Sequence, residues 1–406
     1  MRNPYFAYEK YFSLPGFANY LLFYAVILAC AWAAEKTSFA PRRTLSKDSP
    51  LPQASDKEAK ALFKESVALA VIAFGAQWLW IARMIMNEGV MRLYRLAVVQ
   101  QDFQTFKLEV VNKAMIPGVT SFTQFGMIAA AMYSIYVFGM GKKGDVRIWL
   151  MILLPGVLRG LFFSERLALM EVVIPILVMA LVFNRVKLTL PKLILSAMAF
   201  VGFFSIAEGL RSYRYYSENG FEQAGVYSYG IGRFLDYITS SVNHSIAMVD
   251  LSGQLYAFPA LLFNGWINLI SMVVPGDALS RFLHTGQAAQ AYANIKLSPY
   301  SAQDYTNMGY FGQLFADSGY LYLLYAVIYG VILGAAYKGL KRYEIGWLAI
   351  YPVLFISVLE SYRIAYLFET RTFYPLLYMA SSYAIKSVFE WKRGQGDGAR
   401  KQAHHH

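Results

Sequence analysis

The sequence predicts an all-α integral membrane protein, a polytopic helical bundle with a long periplasmic loop. Two observations carry that prediction. Hydrophobic residues make up 57% of the 406 positions and charged residues only 15%, against about 45–50% and about 25% in soluble domains. The apolar residues also fall in runs of spanning length, roughly 17–25 residues. This composition excludes a cytoplasmic enzyme, a nucleic-acid binder and a disordered chain. Cys30 is the only cysteine, so neither a disulfide framework nor a cysteine metal site is possible.

Nine spans are read, at about 17–34, 66–86, 117–139, 147–163, 167–183, 191–209, 318–337, 346–362 and 372–389. Each carries Leu, Ile, Val, Met and aromatics on all faces, unlike a soluble amphipathic helix. Residues 1–16 hold Tyr5, Glu9, Lys10 and Pro15, which do not suit a secretory signal. The stretch Ser46 to Ser55, with two prolines, reads as a flexible cytoplasmic loop, and 403–406 as the remnant of a histidine tag. The whole chain, 1–406, reads as one membrane domain.

Lys and Arg set the orientation. Five segments, 35–65, 141–147, 184–192, 338–346 and 390–401, hold 20 of the 37 basic residues. Alternation through nine spans puts all five on one side, taken as cytoplasmic. The segments 1–16 and 87–116 then lie outside although they carry basic residues. Residues 208–317 form one external segment with five basic residues and about nineteen aromatics. Its two apolar runs, 233–252 and 256–274, read as interfacial helices, the second broken by Pro259, Asn264, Gly265 and Asn268. A membrane hairpin, giving up to eleven spans, keeps the same parity.

Several chemistries lack their motif. No phosphate-binding GxxxxGK[ST] loop and no HExxH occur. Asp56 and Glu58 form a carboxylate pair, but on the cytoplasmic side, so metal-dependent chemistry at the outer face has no ligand set and no cofactor is expected. Transporters carry charges near the bilayer centre; here these are chiefly Glu171 and Arg159.

Ionisable residues against a bilayer are costly and mark function. Arg159, Glu165 and Arg166 meet at the outer turn Arg159-Gly-Leu-Phe-Phe-Ser-Glu-Arg166. Arg166 suits an anionic head group, because guanidinium fits phosphate oxygens in a fork; a snorkelling Arg or a plain Glu–Arg pair are the alternatives. Glu208, Arg211 and Arg214 follow on one helix extending out of the sixth span, flanked by Tyr213, Tyr215 and Tyr216. They read as an anion-and-sugar surface, or as a local ion pair. His244 and His284 are candidate bases by their near-neutral pKa, or structural. Asp304 stands in a polar stretch before the seventh span. Asp317 reads as a helix cap. Glu360, Arg363, Glu369 and Arg371 read as a salt-bridge network.

The stretch Asp304-Tyr-Thr-Asn-Met-Gly-Tyr-Phe-Gly-Gln-Leu-Phe-Ala-Asp-Ser-Gly-Tyr320 resembles the Thr/Gly-rich approach to a helix start in the Wzy-type O-antigen polymerases, with Ser318 in a Phe position. The Arg166 turn, the Arg211–Arg214 loop opening and the Pro-broken segment Tyr256 to Pro275 strengthen the likeness, which covers roughly 150–340. The resemblance implies a polyprenyl-phosphate-using, multi-span glycosyltransferase in the bacterial inner membrane, with its site on the periplasmic face. It joins undecaprenyl-diphosphate-linked oligosaccharide donor and acceptor, works among membrane lipids with a chain-length regulator, and binds no nucleic acid. Arg166, Arg211, Arg214 and Arg281 would hold the diphosphate. Asp304, His244 or Glu208 would accept the proton. Tyr213, Tyr215, Tyr305 and Asn307 would contact sugar. An O-antigen ligase would need a His-Asn motif where His244-Ser and His284-Thr stand here. A flippase would need cations along an inner cavity.

Overall fold

The computed structural model describes residues 11–37, 56–99, 106–116, 118–162, 165–187, 189–218, 226–251, 260–271, 277–300 and 307–382. The predicted loop at 46–55 and the tag at 403–406 lie outside these residues. The described residues are 86% helical, with no strand among them. Among the described residues four helical stretches are long and apolar enough to cross a membrane: Leu14–Lys36, Asp56–Glu88, Thr120–Gly139 and Gly309–Lys341.

The helices are α1 (Leu14–Lys36), α2 (Asp56–Glu88), α3 (Val90–Tyr94), α4 (Phe125–Ser134), α5 (Val146–Phe162), α6 (Arg166–Val182) and α7 (Leu190–Glu218). There follow α8 (Val226–Leu251), α9 (Asn264–Ser271), α10 (Asp277–Leu297), α11 (Gly309–Ser318), α12 (Tyr322–Lys341) and α13 (Ile345–Glu360). A last helix, α14, is described over 370–382. Most of the expected spans follow one helix each, the ninth being described only to 382; 117–139 is divided among a 3-10 turn at Thr120–Gln124, α4 and a π turn at Ile135–Gly139, and 318–337 begins at the break between α11 and α12.

Large apolar side chains face outward. Leu21, Leu28 and Trp32 on α1 and Leu324, Ile328 and Val331 on α12 are exposed. Such a surface suits lipid, since soluble proteins rarely expose wide apolar patches. With no hydrophobic force between helices in lipid, small residues make the contacts. α1 and α12 run parallel and touch closely. A Cβ on Gly334 would sit 2.2 Å from the Ala31 carbonyl oxygen, and one on Gly330 would sit 2.6 Å from that of Ile27. The pair is fastened by Tyr322 Oη donating to Asn19 Oδ1 at 2.7 Å and, at the far end, by Lys341 to Glu35 at 2.6 Å.

Contacts gather the basic segments at one end. Lys341 meets Glu35, Lys142 meets Asp56 at 3.0 Å, and Arg185 Nη2 donates to the Phe138 carbonyl at 2.9 Å. Four of the five basic segments therefore share an end; the fifth lies outside the described residues.

Two regions differ from expectation. The described residues of 87–116 form a small helical lobe on the end of α2, with Trp80, Met84, Leu96, Phe106 and Val110 in its core. Its Arg92 pairs with Glu88 and, at 3.1 Å, with Glu109. The 233–252 run, read as an interfacial helix, is packed against neighbouring helices. It forms most of α8, which packs as a hairpin with α7 and against α1 and α11, with His244 to Met248 buried.

Candidate functional site

The end opposite the basic segments carries a polar layer built around the turn from Glu360 to Thr372. Arg371 comes down from the start of α14 between α5 and α6. Its Nη1 donates to Glu171 Oε1 at 3.1 Å and its Nη2 to Glu165 Oε2 at 3.2 Å. Arg159, at the end of α5, reaches the same Glu165 oxygen from Nε at 2.9 Å, and its Nη1 donates to Thr123 Oγ1 at 3.1 Å. Tyr366 Oη donates to Glu171 Oε1 at 3.0 Å. With its amide turned to suit its neighbours, Gln124 donates to Glu171 Oε2 at 2.9 Å and accepts from Arg159 at 3.1 Å. Burial alone would raise the Glu165 pKa, but Arg159 and Arg371 outweigh it and hold the carboxyl at about 2.

A second pair lies beside the first. Arg363 donates to Glu360 at 2.7 Å and its guanidinium stacks 5.2 Å from the centre of the Tyr237 ring. The three arginines Arg159, Arg363 and Arg371 are thus matched by three carboxylates, Glu165, Glu171 and Glu360. Buried charges persist where they are paired and hydrogen-bonded. This layer is an ion-pair network that fixes the turn. Glu369 also lies in it. Burial pushes its pKa up, while Arg371 and Arg363 pull it down.

The turn then fixes the neighbouring chain. The Arg363 carbonyl accepts from Gly309 N at 3.0 Å and the Ser361 carbonyl from Tyr310 N at 2.8 Å. Gly309 has φ +67°, and a Cβ there would meet Ser245 Oγ at 2.2 Å, so only glycine fits. Trp266 on α9 donates to the Glu369 carbonyl at 3.2 Å. Asp317 is a cap, but for a different segment than its own. Its two oxygens each accept an amide at 3.2 Å, from Leu261 and Leu262 in the turn before α9.

The residues singled out from sequence stand as follows. His244 is 0% exposed, and its ring nitrogens face main-chain carbonyls, Nδ1 on Asn307 at 3.1 Å and Nε2 on Tyr300 at 3.0 Å. A proton acceptor needs a free lone pair towards the substrate, and this ring presents none. Asn307 is the sole expected sugar contact whose side chain is described, and it is half-buried. Arg281 is exposed in the first turn of α10. Arg166 opens α6 and Glu208, Arg211, Tyr213, Arg214 and Tyr215 lie on the last turns of α7, but their side chains are outside the described residues, as are Asp304 and Tyr305 entirely. The structure brings the His244 ring to the main chain of Asn307.

Among the described residues no three His, Cys, Asp or Glu side chains gather as a metal site. The sequence reading missed that Arg371 belongs to Glu165 and Glu171. The available signal was the density of charge in 360–371 of a charge-poor chain. No family model, curated protein or solved structure matches the chain.

Proposed function

We propose that this chain is a metal-independent glycosyltransferase of the Wzy type. It would join undecaprenyl-diphosphate-linked oligosaccharide repeat units into O-antigen or a similar surface polysaccharide, at the periplasmic face of a bacterial inner membrane. The observation that carries this reading is the continuity of α7. It starts at Leu190 beside the basic segment 184–192 and runs unbroken to Glu218. At 1.5 Å per residue, Arg211 and Arg214 lie about 32 and 36 Å along it, just past a hydrocarbon core about 30 Å thick. Two arginines one turn apart at that depth suit the diphosphate of a lipid whose chain lies in the bilayer.

The chemistry follows from these groups. The acceptor hydroxyl attacks the anomeric carbon of the growing glycan, and the bond to polyprenyl diphosphate breaks with its electron pair on the leaving oxygen. Fixed guanidinium groups stabilise the charge that develops there. Arg159, Arg363 and Arg371 are committed to carboxylates, so the reading assigns this task to Arg211 and Arg214, supported by Arg166 and Arg281. Asp304 takes the hydroxyl proton, with Glu208 as the other carboxylate in reach of that face. Tyr213, Tyr215, Tyr305 and Asn307 contact sugar. A chain-length regulator would be the protein partner.

The test uses the full chain in lipid nanodiscs with lipid-linked repeat units. A ladder of longer glycans is expected, surviving EDTA. Arg211→Lys and Arg214→Lys keep the charge but lose the fork, and each should slow ladder formation on the order of tenfold to a hundredfold. Repeat units that stay single with the native chain overturn the proposal.

A further inference from the structure

We infer that the lobe following α2 is seated in lipid. One of its faces packs on α2. The other, made by Val90, Met91, Tyr94 and Val99, lies in the leaflet at the end of the bundle opposite the basic segments. The outward side of α2 leads to it. Val71 and Ile72, Trp78 and Leu79, and Ile85 and Met86 recur every seven residues and are all exposed, which makes one stripe along the helix. The opposite stripe, with Ala73, Trp80 and Met84, is buried in the protein. The outward stripe does not end with the helix. Gly89, at φ +73°, turns the chain. Val90, Met91, Tyr94 and Val99 then continue the stripe, each more than half exposed. A contiguous apolar surface of this kind marks an interaction face, and it is continuous with the lipid-facing side of a spanning helix.

The segment is apolar on two sides. Val90 and Met91 stand four and three positions before Tyr94, so the three share a face of α3. The turn that follows, Arg95–Val99, is a π turn, whose bonds reach five residues on and bring Val99 to the Tyr94 side. On the other side Leu93 and Leu96 pack with Phe106 and Val110 against Trp80 and Met84. A helix in water needs one polar face opposite its apolar stripe; here both broad faces are apolar. Arg92 and Arg95 take the narrow side that remains. Arg92 pairs with Glu88 and Glu109. Arg95 is exposed, and its long stem carries the guanidinium towards phosphate oxygens at the surface.

The depth agrees. The apolar run of α2 ends at Met86, and at helical rise Met84 and Trp80 lie about 3 and 9 Å before it. The lobe is fastened at that level. Trp80 Nε1 donates to the Val111 carbonyl at 3.1 Å, and Arg83 Nη1 to the Met115 carbonyl at 3.3 Å. Interfacial helices bury their apolar face about 5–10 Å into the boundary between head groups and acyl chains. A lobe standing in water would pack beyond Met86 and turn polar side chains outward.

The test needs no substrate and does not depend on the polymerase reading. Nitroxide labels are placed at Met91→Cys and Val99→Cys in the full chain with Cys30→Ala, in lipid nanodiscs. Power saturation reads collisions with oxygen, which concentrates in lipid, and with a water-soluble nickel chelate. Leu28→Cys, exposed on α1, is the lipid reference, and Lys143→Cys, exposed in a basic segment, is the water reference. Both lobe sites should follow Leu28→Cys in losing collisions with nickel, at a depth of about 5–10 Å below the phosphates. Labels that follow Lys143→Cys put the face in water and overturn the inference. Labels reached by neither reagent put protein on the face, a second copy included, and overturn it equally. If these variants do not fold, the unsubstituted chain decides: a diazirine on a phospholipid acyl chain should mark peptides covering 90–99, and their escape from it overturns the inference.

Discussion

Arg371 donates to Glu171 at 3.1 Å across two hundred positions of sequence. Glu171 is only 3% exposed, and an apolar helix holds it there because both oxygens find donors, Oε1 from Arg371 and Tyr366 and Oε2 from Gln124. The consequence is testable by substitution. Removing one partner of a buried pair costs about 3–5 kcal/mol, since it strands the other charge. Glu171→Ala should lower the thermal midpoint of the detergent-solubilised chain sharply. Glu171→Gln keeps an acceptor for Tyr366 and should lose less. Equal midpoints for both variants and the native chain would show that the network contributes nothing to stability.

Glu165 gives the network a pH signature. Its carboxyl is held at about 2 against an ordinary 4.5, so the folded state binds fewer protons than the unfolded state between those values. Stability from this group is fully present above about pH 4.5 and is lost as pH falls towards about pH 2. Thermal midpoints measured from pH 6 down to pH 3 should therefore fall more steeply in the native chain than in Glu165→Gln. Parallel slopes would remove Glu165 from the acid response.

Much of the bundle was legible because its cause is local. Apolar runs at 17–34 and 318–337 announce helices whatever else the chain does. The parallel seam at Gly330 and Gly334 was not legible, because a small residue names no partner until Ala31 and Ile27 are brought to it. The polar layer failed for the same reason. Arg363 pairs three residues back with Glu360, as helical spacing allows, whereas Arg371 skips its near neighbour Glu369 for two carboxylates on another helix. His244 was legible as a rare ionisable group and not as a ring set between two main-chain carbonyls, since carbonyls carry no sequence signal. Asp317 showed its cap chemistry, but the amides it caps lie more than fifty positions away.

Orientation gives the most direct check on where the site faces. Lys142 and Lys341 belong to segments that the pairs with Asp56 and Glu35 draw to one end, and a surplus of Lys and Arg marks the cytoplasmic side. Glu218 closes α7 about 42 Å from Leu190 at helical rise, so Ser217 should stand clear of the opposite surface. Thr285 is exposed on α10. With Cys30 replaced by Ala, single cysteines are introduced as Ser217→Cys, Thr285→Cys, Lys143→Cys and Lys338→Cys. A membrane-impermeant maleimide added to intact spheroplasts should label the first two and spare the last two until the membrane is opened. Labelling of Lys143→Cys from outside would invert the chain and place Arg211 and Arg214 in the cytoplasm. A lipid-linked polymer assembled at the outer face could not then be their substrate.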